Sequence, residues 1–358
     1  MKPMKLHVYA PDIFSADAVG NHCFGIARSA ARSGLPVQLF SQRFDQSAPT
    51  VSHVDQLFTS ITADDLLLVS YSIYDEYLDR LLALPCRKAC YFHGITDPAL
   101  LREFDPRTAE LCGAGIAQMS KLKAFDMLIA NSRLTAAELK THTGASRVAV
   151  VPPVFSDMPA FGYSSAPRDF ERRSRNLLVV GRVVPHKKLE DALSVVAAAR
   201  AQGAEITLTV VGTMPNYEYS KYLFNFGREL GVLDYVSFAG MLDDGDLFFC
   251  FDKADALLSM SLHEGFGVPA LEAMQFGLPV FARSGTAIDE LAAGVGEFHS
   301  DEPLDTVGRT IADRLFDNAW RQRKAMAGKA RALETLEQAS DRVWLNLFNE
   351  VTRTANSI

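Results

Sequence analysis

Ser261-Leu-His-Glu-Gly-Phe-Gly-Val-Pro-Ala-Leu-Glu-Ala-Met-Gln-Phe-Gly-Leu-Pro-Val280 lies between two apolar runs, Ala256–Met260 and Pro279–Ala282. An apolar strand, a glycine-bearing loop and a helix opening on a proline make one β-loop-α unit. The spacing predicts a helix over Pro269–Phe276 with Pro269 at its first position, where the missing N–H costs nothing. Glu272 then falls in the first turn and Glu264 in the loop, with seven residues between them, so both carboxylates reach the same cleft. Gly265 and Gly267 let backbone approach a ligand closely. The free N–H groups and positive end of the helix dipole face the place where an anion or a sugar hydroxyl would lie. Carboxylates accept hydrogen bonds from vicinal hydroxyls, which suits Glu272 to a ribose and Glu264 to a sugar ring. A helix-capping Glu and a solvated loop Glu would explain either residue alone, but explain the pair with its two glycines poorly.

The same unit recurs along the chain. Strands are predicted near Lys5–Ala10, Pro36–Phe40, Leu66–Ser70, Ala89–His93, Met127–Asn131 and Val148–Pro152, and again near Asn176–Gly181, Ile206–Gly212, Val236–Gly240, Ala256–Met260 and Pro279–Ala282. Helical segments alternate with them at Asn21–Ser33, Thr135–Thr141, Leu189–Gln202 and Tyr219–Leu230. Gly34 fits the C′ position of the first, and Thr135-x-x-Glu138 reads as a capping box. Short buried strands alternating with amphipathic helices are the signature of parallel α/β units. The fold class is therefore α/β, with two Rossmann-sized halves. The boundaries predicted are an N-terminal domain over 1–160, a linker over 161–175 rich in turn formers and charges, a C-terminal domain over 176–335, and a last helix over 336–358. Trp344, Leu345, Leu347 and Phe348 give that helix more apolar weight than a solvated tail needs, so it is expected to pack back onto the N-terminal domain.

Length and composition set the outer bounds. A chain of 358 residues is about two domains at ordinary domain size. With 48% apolar and 22% charged residues and no unbroken membrane-length run, disordered, collagen-like and membrane-spanning classes are excluded. Thirty-six Lys and Arg against 43 Asp and Glu give a net charge of −7, which argues against nucleic acid or a broad anionic surface as partner. The acidity is uneven, with 15 basic and 16 acidic residues up to position 160 and 21 and 27 beyond it. Met1-Lys-Pro-Met-Lys leads into the first strand without a secretory h-region, and a cytoplasmic protein is expected. Five cysteines, Cys23, Cys86, Cys90, Cys112 and Cys250, lack metal-site spacing and read as free thiols.

Other constellations fall at predicted strand ends. Leu177-Leu-Val-Val-Gly-Arg-Val-Val-Pro-His-Lys-Lys delivers Arg182, Lys187 and Lys188 to the carboxyl end of a strand, where open α/β sheets bind ligands. A guanidinium fork and an ammonium are the usual partners of a diphosphate. Asp17-Ala-Val-Gly-Asn-His fails the dinucleotide fingerprint, though Gly20 and Asn21 opening a helix would offer N–H groups to a phosphate or an acceptor. His93 ends a strand before Gly94, either as a structural group or at the ligand edge of the first sheet. His263, His186 and His22 do not form a metal site by spacing, and Asp243-Asp244-Gly245-Asp246 reads as a helix cap. Thr108–Phe125, with Leu111, Ile116, Met119 and Leu122 beside Lys121 and Lys123, is an ordinary amphipathic surface helix or an interfacial one meeting a membrane.

These residues resemble the retaining glycosyltransferases of the GT-B fold, glycosyltransferase family 4. The match is strong over Asn176–Phe298 and weaker at His93-Gly-Ile-Thr, Ile129-Ala-Asn-Ser-Arg-Leu-Thr-Ala-Ala-Glu-Leu and Val150-Val-Pro-Pro. It implies two Rossmann-like domains facing each other across a closing cleft, with a nucleotide sugar, GDP- or UDP-linked, as donor substrate and no cofactor or metal. The family's Glu–seven residues–Glu motif matches Glu264 and Glu272. By that resemblance Glu272 holds the ribose, and Glu264 lies against the donor sugar with the backbone of Phe266, Gly267 and Val268. Arg182 and Lys187 match the diphosphate ligands, with Lys188 where the family often has glycine, and His93 matches a His that reaches the donor sugar. The N-terminal loop has only Gly20 in place of the common double glycine. The implied reaction transfers a hexose, mannose favoured by family analogy, to a glycan or lipid-linked acceptor, with peripheral membrane contact through the first domain. A nucleotide-sugar epimerase of the same fold, a phosphorylase and a non-catalytic nucleotide-sugar-binding protein are the alternatives.

Overall fold

The computed structural model describes residues 4–15, 17–45, 50–154 and 173–353. The chain forms two compact units, one of Met1–Ile95, Glu110–Pro159 and Thr335–Ile358, the other of Thr96–Ala109 and Ala160–Glu334. Of the predicted linker, residues 161–172 lie outside the described residues, and Arg175 already opens a strand.

The first unit is built on β1 (Leu6–Ile13), β2 (Val37–Phe44), β3 (Val51–His53), β4 (Leu66–Tyr71), β5 (Arg87–Phe92), β6 (Met127–Ala130) and β7 (Ala149–Val150). The second uses β8 (Arg175–Val180), β9 (Ile206–Val211), β10 (Val236–Gly240), β11 (Ala256–Ser259), β12 (Val280–Arg283) and β13 (Glu297–His299). Among the described residues every strand pairing is parallel, in the orders β3-β2-β1-β4-β5-β6-β7 and β10-β9-β8-β11-β12-β13. Parallel strands carry helices on both faces, so their side chains are buried on both sides. All six residues of β4 are buried.

The helices are α1 (Ala18–Arg32), α2 (Val54–Ser60), α3 (Leu78–Leu82), α4 (Pro106–Gln118), α5 (Arg133–Thr143), α6 (Leu189–Ala201), α7 (Tyr217–Glu229), α8 (Asp244–Lys253), α9 (Val268–Gln275), α10 (Ile288–Leu291), α11 (Leu304–Phe316), α12 (Asn318–Gln338) and α13 (Asp341–Arg353). Caps set several of these boundaries. Asp243 accepts from Asp246 N–H at 2.9 Å and caps α8, the role read for that acidic run. In α5 the box sits three residues earlier than predicted: Ser132 is the N-cap and Thr135 its N3 partner. Extended backbone at Ser132 aims its hydroxyl at the orphan N–H, which leaves Glu138 inside the helix.

Three local expectations are corrected. Thr96–Ala109, inside the predicted first domain, clusters with the second unit because Phe104 packs on Tyr219 and Tyr222 at 5.2 and 5.5 Å and accepts from Asn216 Nδ2. Residues 106–125 form α4 followed by a 3₁₀ turn, Met119–Ala124, in which Met119 and Leu122 are wholly buried and Lys121 pairs with Asp79. Much of the apolar face that would meet a membrane therefore belongs to the core. No helix among the described residues is long and apolar enough to cross a membrane. The first helix begins at Ala18 under an Asp17 cap, so Gly20 and Asn21 lie within its first turn and not in a loop. Asn21 N–H is spent on Asp17 O at 2.8 Å. A Cβ on Gly20 would sit 2.0 Å from Phe14 O, so glycine is needed there for close packing of helix on loop.

Residues of α13 close the first core. Trp344, Phe348 and Val351 pack with Val8, Ile26 and Tyr91, and Arg32 makes a two-pronged bond to Asp341. Trp320 sits in the other core with Leu193, Phe281 and Ile311. Removing a fully buried indole costs its transfer free energy plus a cavity, about 3–5 kcal/mol. Trp344→Ala is expected to lose that much stability in a urea titration; a loss below about 1 kcal/mol would contradict the packing of α13 into this core.

Candidate active site

In the second unit the strand order reverses between β8 and β11, neighbours in the sheet that are not consecutive in sequence. A crevice opens at the carboxyl ends of the strands at such a switch point. The loop after β8 carries Gly181, Arg182 and the 3₁₀ turn Pro185–Lys187, and the loop after β11 carries Ser261 through Gly267. The two loops are stitched together by Leu262 N–H, which donates to His186 O at 2.8 Å.

Lys187 Nζ donates to Glu264 Oε1 at 2.6 Å, and Ser261 Oγ donates to the same oxygen at 2.8 Å. Both members of the pair are less than one-fifth exposed. Arg182 is exposed and has no ion pair among the described residues. Gly181, at φ +138°, and Gly267, at φ +92°, occupy backbone conformations that favour glycine. A Cβ on Gly267 would lie 2.6 Å from Ile288 Cγ1. Gly265 does not share that need, since its φ is not positive. Phe266 is buried, while Val268 is half-buried.

Gly267 is the N-cap of α9, which makes Val268 its first residue and Pro269 its second. Pro269 is thus one position later than predicted, and Glu272 lies beyond the first turn, with no acidic residue in that turn. Among the described residues no backbone group accepts from the N–H of Gly267 or Val268, leaving two donors at the positive end of α9. Glu272 is half-buried one turn further along, and while its carbonyl accepts from Phe276 N–H at 3.1 Å, its carboxyl group has no hydrogen bond among the described residues. Burial, aided by the charge on Asp244, pushes its carboxyl up to about 8. His186 and His263 meet edge to face at 6.2 Å, and burial holds both well toward the neutral form.

Lys188 shows what the sequence alone hid. It takes the left-handed conformation, φ 50° and ψ 51°, which favours glycine and costs an ordinary residue about 1–2 kcal/mol. Its ammonium binds Glu190 Oε1 at 2.6 Å, while Tyr219 donates to Glu190 Oε2 at 2.6 Å and accepts from Leu189 N–H at 3.1 Å. That network fixes the start of α6 directly behind Lys187. Ser261 was also missed; its position at the end of a predicted strand, three residues before Glu264, was the available signal. Gly20 and His93 belong to the first unit, and the other eight candidate residues to the second. His93 follows β5, its N–H bonded to Tyr71 O at 3.0 Å and its carbonyl to Asn131 Nδ2 at 3.1 Å. Among the described residues no group of three or more His, Cys, Asp and Glu is placed to hold a metal ion.

Residues 165–330 match the family model of glycosyl transferases group 1. That segment, a little under half of the chain, resembles this family, and the two parallel sheets match the GT-B fold. O-antigen chain mannosyltransferase B of Escherichia coli is 31% identical over 27% of this chain and 26% of its own length. MMP alpha-(1->4)-mannosyltransferase of Mycolicibacterium hassiacum is 30% identical over 49% of this chain and 42% of its own. The chain thus spans less than half the length of these two curated relatives. The crystal structure of Anabaena HepE in complex with UDP and glucose superposes with a TM-score of 0.70 at 16% identity, covering 99% of this chain and 100% of that one.

Glu272 yields a signed test. Its folded-state value of about 8 lies above the ordinary 4.5, so the stability it contributes is complete below about 4.5 and lost as pH rises through about 8. Glu272→Gln, which cannot ionise, is expected to match wild type near pH 4.5 and to melt higher than wild type above pH 8; equal melting temperatures at both would refute the burial of a carboxylate here.

Proposed function

We propose that the chain is a metal-independent, retaining glycosyltransferase. It moves a hexose, mannose favoured, from a GDP- or UDP-linked sugar to a glycan or lipid-linked acceptor. The observation that carries this reading is the Lys187–Glu264 pair held at 2.6 Å beside the unclaimed N–H groups of Gly267 and Val268, in the crevice between β8 and β11. A cation, a carboxylate and helix N-terminal donors in one crevice suit an anionic leaving group attached to a polyol. Support comes from the mannosyltransferase relatives and from the neighbour whose crystals hold UDP and glucose.

In this reading the bond from the anomeric carbon to the diphosphate oxygen breaks, and negative charge grows on the leaving diphosphate. Arg182, Lys187 and the N-terminus of α9 stabilise that charge, and preorganised donors of this kind contribute most where water is excluded. The acceptor oxygen bonds to the anomeric carbon on the face the diphosphate leaves, and its proton passes to the departing phosphate oxygen. Glu264, fixed by Lys187 and Ser261, accepts from sugar hydroxyls and orients the ring. A double displacement would need a carboxylate on the opposite face of the sugar, and neither Glu264 nor Glu272 is assigned that part. Glu272 takes the ribose hydroxyls. The resemblance alone gives His93 its part at the donor sugar.

The test offers UDP- and GDP-hexoses with a panel of glycan and lipid-linked acceptors, with and without EDTA. Expected are acceptor-dependent release of nucleoside diphosphate, retained anomeric configuration by NMR and no loss with EDTA. An isomerised donor formed without acceptor would instead make the protein an epimerase. Lys187→Ala and Arg182→Ala are each expected to lower turnover about 100-fold. Their melting temperatures should hardly move, because Arg182 is exposed without an ion pair among the described residues and the incompletely buried pair of Lys187 contributes about 0–1 kcal/mol; wild-type turnover in either variant would remove that residue from the diphosphate site.

A further inference from the structure

The first unit contains a second cluster of polar atoms, of which only His93 has been given a part above. His22 on α1 is fully buried and stacks on Tyr91 at 4.2 Å between ring centres. It meets His93 edge to face at 5.3 Å and Trp344 at 5.4 Å. Tyr91 itself touches His93 at 4.8 Å and Trp344 at 5.4 Å, and spends its hydroxyl on Val151 O at 2.9 Å. Inside this aromatic box three buried nitrogens have no hydrogen-bond partner: His22 Nε2, His93 Nε2 and Trp344 Nε1.

Their chemistry is fixed by one bond at the box's edge. Val154 N–H donates to His22 Nδ1 at 3.2 Å, so Nδ1 is the bare nitrogen. A neutral imidazole carries one proton, which places it on Nε2. Burial holds His22 well below the ordinary histidine range and His93 down at about 3, so both rings are neutral at physiological pH. His22 Nε2–H and the Trp344 indole N–H are then two donors without acceptors. In this box the one nitrogen able to accept is His93 Nε2.

We propose that His22 is a positioning residue that sets the tautomer of His93, its Nε2–H donating to His93 Nε2 directly or through one water. A single water there would accept from His22 and Trp344 and donate to His93, the usual complement of about three bonds for a buried water. With Nε2 occupied as acceptor, the His93 proton sits on Nδ1. The half-buried His93 thereby presents a fixed N–H donor at the carboxyl end of β5, where a free histidine would exchange between tautomers. Such a donor suits a sugar hydroxyl or ring oxygen. That use in transfer rests on the function proposed above, whereas the tautomer itself does not.

Nitrogen chemical shifts of the imidazoles in the wild-type protein decide the tautomers directly. Expected are a protonated Nε2 and bare Nδ1 on His22, and a protonated Nδ1 and bare Nε2 on His93. His93 protonated on Nε2, or His22 protonated on Nδ1, would overturn the proposal. His22→Phe keeps the stack on Tyr91 but removes the donor, and His93 should then shift toward its Nε2–H form. Turnover should fall about tenfold or more, with nucleoside diphosphate affinity unchanged within about twofold. His22→Gln, whose amide nitrogen can reach the same place, should restore most of both. Turnover that falls in neither variant would remove the role in transfer. Absence of transfer by the wild-type protein would refute the proposed function, while the spectrum would still decide the tautomers.

Discussion

Two neighbouring parallel strands, β8 and β11, end side by side and send their chains apart, and the arrangement of the site depends on that constraint. Backbone donors, a cation and a carboxylate converge at their carboxyl ends, where a switch point in strand order opens a crevice. The Lys187–Glu264 pair bridges the loops that follow the two strands, and the bond from Leu262 N–H to His186 O holds those loops in register. Gly267 completes the constraint. Its left-handed backbone turns the chain into α9, and Ile288 fills the space a side chain would need.

Burial decides which ion pairs serve the scaffold and which remain available. Arg321 and Asp255 are at most 2% exposed and sit 2.8 Å apart between α12 and the start of β11. Breaking such a pair strands a charge in the interior, at about 3–5 kcal/mol. Lys187 and Glu264, at the same kind of distance but 19% and 14% exposed, keep a face toward solvent. A ligand can share them without unfolding anything. Lys188 lies between these cases, its left-handed strain offset by a carboxylate that is itself almost fully buried.

Much of this was legible in the sequence, and the exceptions have physical causes. Strand interiors such as Leu66–Val69 read clearly because parallel strands buried on both faces become continuous apolar runs, and Ile206–Val211 reads by its alternation of buried apolar residues with half-buried Thr207 and Thr209. The edge strands β3 and β13, three residues each, are too short to show a period and were not anticipated. Pro269 was taken for the first helical residue, but the left-handed turn at Gly267 starts α9 one residue sooner and carries Glu272 out of the first turn. Thr135 was taken for a cap when Ser132 stood three residues upstream, and only backbone dihedrals tell the two apart. Glu264 and Glu272 were found from spacing, Arg182 and Lys187 from a strand end. The His22, His93 and Trp344 cluster draws on α1, the end of β5 and α13. Residues so far apart in sequence meet only in the folded unit, where the Val154 N–H reveals the tautomer.

The central claim is that the β8–β11 crevice holds a nucleoside diphosphate. A crystal structure of the protein soaked with UDP, and separately with GDP, tests it most directly. The account predicts diphosphate density within hydrogen-bond distance of Lys187 Nζ and the N–H groups of Gly267 or Val268, with the ribose against Glu272. An ordered nucleotide bound elsewhere on the chain, with Lys187 still paired only to Glu264, would contradict it.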